Sequence, residues 1–185
     1  MPFPYYDRLC ARDKAIYRRS DELTRIELPA SEALQPLVDG LRRALELEEP
    51  SAVGLAAREL ARGITERLGI AAVELSVLPV RPSSSWGELH GLYTREPGRS
   101  ARIQLWMRTV RHKRVVAFRT FLRTLLHEVG HHVDYEHLRL ADSFHTEGFF
   151  KRESSLFKQL VPEAAGPPRR AATGQDSVSP RPGRK

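Results

Sequence analysis

Cysteine is almost absent from this chain: Cys10 stands alone among 185 residues. A single thiol excludes an internal disulfide and any metal site built on paired cysteines, and it fits a reducing compartment. On that view Cys10 is an ordinary small side chain. Methionine is nearly as scarce, with Met1 and Met107 alone. Long apolar runs are missing too. No stretch approaches the ~20 apolar residues that a membrane span needs. The opening Met1-Pro2-Phe3-Pro4-Tyr5-Tyr6-Asp7-Arg8 lacks the apolar core of a secretory signal. A soluble cytoplasmic protein is the expectation. Lysine is outnumbered by arginine 25 to 5, and the net charge is +7. Residues 166–185 carry +4 of it, so a nucleic-acid partner is permitted through this tail without being required.

The length implies one main domain. Three helices are predicted in residues 1–70: about 7–22, 31–47 with Ser31 as a candidate N-cap, and 51–68 stopping at Gly69. The period then changes to alternation. Strands are expected over Val73–Leu78, Glu88–Thr94 and Arg102–Arg108, with Pro82–Ser85 a loop and Glu96-Pro97-Gly98 a turn. A long helix follows from about Lys113 to His137, and a last one over 146–160. Beyond Pro162 the composition turns to Pro, Gly, Ala, Arg and Ser, which reads as a disordered basic tail over 163–185. Trp86 and Trp106 read as packing residues, and His90 and His112 as surface or loop residues. The fold class expected is α+β, with a helical extension over 1–70 and a sheet-and-helix domain over 71–162.

Within the long helix stands His127-Glu128-Val129-Gly130-His131. Residues four apart share a helix face, so both imidazoles can reach one tetrahedral ion. Glu128 lies about 100° round the turn, where a carboxylate can take a proton from water activated by the metal. The context strengthens a short motif: Val115, Phe118, Leu122, Leu125, Val129 and Val133 form an apolar stripe, and His127, His131 and Asp134 lie opposite. The competing reading is an amphipathic helix rich in histidine and free of metal.

A hydrolytic zinc site needs a third protein ligand. His137 has the metzincin spacing, but Asp134 stands where that pattern has the glycine that breaks the helix, and a methionine turn is missing. His145 follows a polar connection. Glu153 lies close to the gluzincin position and could be either a ligand or a partner orienting a ligand. Glu147 is a fourth candidate. Asp134 could accept the free N–H of a ligating histidine or be solvated. His132 lies off the ligand face. Tyr135 and Arg152 are candidate oxyanion stabilisers.

Over about residues 73–160 the chain resembles the SprT-like and related minimal zincin (minigluzincin-like) metallopeptidases. The resemblance rests on the His127–His131 motif, on His145 with Phe149 four residues later, and on a glycine-containing strand before Ile103-Gln104-Leu105. It implies a zincin-like fold and Zn²⁺ held by His127, His131 and His145. It also implies peptide-bond hydrolysis with Glu128 as the base and a protein or peptide as substrate. That geometry makes Arg102–Arg108 the candidate edge for an added substrate strand. The alternative is a nucleic-acid- or protein-binding module with a structural or vestigial zinc site. Glu128 argues against it, since a structural site has no need of a base.

Overall fold

The protein is described by a computed structural model covering residues 3–80, 83–84, 87–88, 90–109 and 113–162. The expectations for Trp86, His112 and the 163–185 tail lie outside these residues. The fold is α+β, and its first three helices are α1 (Ala11–Glu22), α2 (Gln35–Glu46) and α3 (Pro50–Leu68). A turn of 3-10 helix at Tyr6–Arg8 precedes α1, and another at Ser31–Leu34 precedes α2. The expected 31–47 helix is therefore split. Pro36 sits in the first turn of α2, where its fixed φ and missing N–H suit a helix start. Ser31 lies inside the 3-10 turn and caps nothing. Pro50 likewise starts α3 one residue before the expected Ser51, and Gly69 closes it in the left-handed conformation (φ 63°).

Five short strands follow: β1 (Glu74–Val80), β2 (Ser83–Ser84), β3 (Gly87–Glu88), β4 (Gly91–Thr94) and β5 (Arg102–Arg108). β2 and β3 pair as a small antiparallel ladder where a loop was expected. The predicted Glu88–Thr94 strand is divided between β3 and β4. The main sheet has the order β1-β5-β4, with β1 parallel and β4 antiparallel to β5. β1 runs past Pro79 to Val80. An outer strand has one side without a ladder, and there a missing N–H is tolerated.

This order corrects one expectation. Arg102–Arg108 is the central strand, bonded on both sides, and has no edge to offer a substrate. Its composition gives the reason: Ile103, Leu105, Trp106 and Met107 are all buried, as a strand covered on both faces requires. Among the described residues the free edge nearest the motif helix belongs to β4.

α4 (Phe118–Glu136) and α5 (Glu147–Leu160) are the last helices among the described residues. α4 starts five residues later than expected because Val115 and Val116 extend the sheet instead. Val115 bridges to Arg108, and the Val116 N–H donates to the Met107 carbonyl at 2.9 Å. α4 packs on β4, β5, α3 and α5. One apolar cluster joins Leu34, Val38 and Leu41 to Ile64, Ile103, Leu105, Leu122, Leu125 and Leu156. Helices α2 and α3 thus share their core with the sheet and the motif helix.

Candidate metal centre

α4 buries Leu122, Leu125, Leu126, Val129 and Val133. The same helical register turns His127 and His131 into a cleft of about 640 Å³ between α4, β4 and the connection to α5. His145 arrives from that connection. Its Nε2 lies 3.0 Å from Nε2 of His127 and 3.1 Å from Nε2 of His131. Among the described residues these three histidines are close enough together to hold a metal ion. Three nitrogens on a tetrahedral ion at 2.0–2.1 Å stand about 3.3 Å apart, and the observed spacing is within a few tenths of an ångström of that.

The hydrogen bonds behind the rings fix which nitrogen faces inward. Nδ1 of His127 lies 3.2 Å from Oε2 of Glu153, a carboxylate oxygen that only accepts. Nδ1 of His131 lies 2.7 Å from Oγ of Ser143, which donates its own hydrogen to Oδ2 of Asp134 at 2.8 Å. These partners favour the tautomer with the proton on Nδ1, which leaves Nε2 of each ring free to bind a metal. Burial, then His127 and His145, push His131 down to about 3. Burial, then His127, also lowers His145.

Phe149 forms the floor of the site. It is buried, and its ring centroid lies 5.0, 4.8 and 5.3 Å from those of His127, His131 and His145. A Cβ on Gly130 would meet that ring at 3.1 Å, so the motif glycine makes room for the floor. Thr146 holds α5 in place by accepting from the Phe149 N–H at 2.9 Å as N-cap.

Glu128 faces β4 in the same cleft. It is buried, and it accepts a hydrogen bond from the Tyr93 backbone. Burial pushes its pKa up to about 7; His127 and the Tyr93 bond oppose the rise, and Glu153 adds to it. A carboxyl that titrates near neutrality is matched to moving a proton at physiological pH.

The other candidates fall outside the cluster. Glu153 stands behind His127, and Arg123 lies 3.5 Å from its second oxygen. His137 caps the C-terminus of α4 and is exposed. Glu147 opens α5, pairing with Lys151 at 2.8 Å. His132 is buried between the Tyr93 hydroxyl and the Ala71 carbonyl. His90 is exposed at the rim of the cleft.

Asp134 is not solvated: it is fully buried, receives Arg152 at 2.8 Å and reaches His131 only through Ser143. Burial raises its pKa, and Arg152 and Ser143 hold the rise back. Arg152 is thereby removed as an oxyanion stabiliser. Its guanidinium is buried and occupied by Asp134, Ser20 and the Leu23 carbonyl. Tyr135 does line the cleft, with its hydroxyl donating to Asp142 at 3.0 Å.

Sequence reasoning missed Ser143 and Tyr93. Ser143 lies two residues before His145 in a polar connection, which offered no signal for its role. Comparison of the chain with protein-family models, curated proteins and solved structures finds no match.

Proposed function

We propose that this protein is a zinc-dependent peptidase of the minimal zincin type. The observation that carries the reading is the convergence of three histidine Nε2 atoms in one cleft beside the buried carboxyl of Glu128. His127, His131 and His145 would hold the ion, leaving a position for water. Three imidazoles over an apolar floor suit zinc among the abundant divalent ions. Bound zinc supplies Lewis acidity, lowering the pKa of a water towards ~7 and polarising a carbonyl.

The chain's own residues do the rest. Glu128 takes a proton from the attacking water and passes it to the leaving amine. Tyr93 holds the carboxylate against β4 through its backbone. Glu153 and the Ser143–Asp134 pair keep the two helix histidines in the correct tautomer. An extended peptide would add to the edge of β4, which borders the cleft.

The test is bound zinc per chain together with cleavage of a mixed peptide library, for wild type and Glu128→Gln. One zinc in both, with cleavage by wild type alone, is expected. Zinc in both without cleavage by either would favour the binding-module reading, in which the ion is structural and the partner a protein or nucleic acid. No zinc in either would remove the metal reading.

A further inference from the structure

His127 and His131 are fixed by their helix, whereas His145 sits on the connection between α4 and α5 and is exposed. Something must hold this third nitrogen against the other two. The contacts around the connection lead to one part of the chain. The Tyr5 hydroxyl donates to the backbone carbonyl of His145 at 2.9 Å. The Ser20 and Thr146 hydroxyls lie 3.3 Å apart, and Oδ1 of Asp21 accepts from the Gly148 N–H at 2.8 Å. The Tyr17 ring lies 6.2 Å from that of Phe144. Arg152 donates from α5 to the Ser20 carbonyl at 2.6 Å. Gly148 permits this approach, because a Cβ there would lie 2.5 Å from the carbonyl oxygens of both Ser20 and Asp21. Residues 144, 145, 146 and 148 are thus each held by a residue between Tyr5 and Asp21.

Tyr5 is itself well fixed. Its ring stacks on Phe3 at 6.1 Å and meets Tyr17 edge-on at 6.0 Å. The Phe3 N–H donates to the Tyr17 hydroxyl at 3.1 Å, which closes the bracket.

We propose that the segment from Tyr5 to Asp21 is part of the metal centre, with Tyr5 a positioning residue that holds His145 at the ion through its backbone carbonyl. The proposal rests on the reading that the three histidines bind zinc. It assigns a role to the part of the chain that lies outside the metallopeptidase resemblance. The bracket removes freedom that the His145 connection would otherwise lose on binding, so it raises affinity without touching the ion.

The test uses the full chain carrying Tyr5→Phe, which keeps the ring stack and removes only the donor. Three quantities are measured: backbone-amide exchange over residues 141–148 without metal, the Zn²⁺ dissociation constant by chelator competition, and the metal-free unfolding midpoint. Faster exchange in 141–148 and a dissociation constant about fivefold higher are expected, with the midpoint lowered by no more than the loss of one hydrogen bond allows. Wild-type values for exchange and affinity would overturn the proposal. So would a lowered midpoint with faster exchange throughout α1 and α5, which would mark a purely structural contact. If the wild-type chain itself bound no zinc, the metal reading would fall, and the exchange measurement would still decide whether Tyr5 holds the connection.

Discussion

Gly91 and Glu128 approach so closely that a Cβ on Gly91 would lie 2.4 Å from Oε1 of Glu128. No other residue type fits between β4 and this carboxyl without moving it. Gly91→Ala should therefore displace Glu128 and leave the three histidines in place. Bound zinc is expected to remain at the wild-type level. The turnover number kcat should fall about 100-fold, the lower end of what a positioned base contributes. Peptide-cleavage kinetics with metal analysis check it, and unchanged kcat would show that the position of Glu128 does not matter.

That contact also shows where the sequence was readable. Among the described residues, apolar spacing located α2 to α5 to within about five residues and the central strand β5, because it reports burial directly. It could not say that β5 is central and β4 is the edge, since strand order depends on contacts distant in sequence. The His127–His131 pair is local geometry on one helix and was legible. His145 was open among four candidates, because its approach depends on the path of a connection. Ser143 and Tyr5 were not legible at all. Each acts across a gap that only the folded chain closes, and neither belongs to a periodic pattern.

Ser143 bridges two groups that do not otherwise meet, Nδ1 of His131 and the buried Asp134 carboxylate. Removing the hydroxyl with Ser143→Ala leaves the imidazole N–H without its acceptor. Loss of such a partner typically weakens metal binding 10–100-fold. A rise of about tenfold in the zinc dissociation constant is expected, with stoichiometry intact at saturating metal. Chelator competition measures it, and wild-type affinity would exclude Ser143 from the support of His131.

The raised pKa of Glu128 makes the metal-free protein sensitive to pH in a definite direction. A carboxyl titrating near 7 when folded, against 4.5 ordinarily, binds its proton more tightly in the folded state. Its contribution is present in full below about 4.5 and is lost as pH rises to 7, by about 3 kcal/mol in total. His131, lowered to about 3, acts the other way and adds stability as pH rises from 3 to its ordinary 6.5. Glu128→Gln removes the first effect and keeps the second. The stability of Glu128→Gln relative to wild type should therefore increase steadily between pH 4.5 and 7. Urea unfolding after chelation checks it; parallel curves would show that Glu128 is not shifted.

Asp134 and Arg152 form an ion pair with both side chains almost wholly excluded from solvent. Arg152→Met would strand a carboxyl that can neither reach water nor find a counter-charge. Breaking a buried pair in this way costs about 3–5 kcal/mol. Arg152→Met combined with Asp134→Asn should recover part of the loss, because the amide carries no charge to bury. Denaturant unfolding of the metal-free variants measures both. A loss below about 1 kcal/mol for the single variant would show that the pair is solvated in solution.

Three of the four candidates for the third ligand, His145, Glu153 and His137, have different expected effects. His145→Ala removes a nitrogen that lies 3.0 and 3.1 Å from the other two, so stoichiometric zinc should be lost. Glu153 faces Nδ1 of His127, on the far side of the ring from the cluster. Glu153→Ala should therefore keep one zinc per chain and weaken it about 10-fold or more, the signature of an orienting partner. It also removes one of the groups that raise Glu128, so any pH dependence of activity governed by Glu128 should move to lower pH. His137, exposed at the end of α4, should be silent in both measurements. Zinc stoichiometry and affinity for the three variants side by side separate these outcomes. Loss of stoichiometric zinc with Glu153→Ala and its retention with His145→Ala would reverse the assignment of the third ligand.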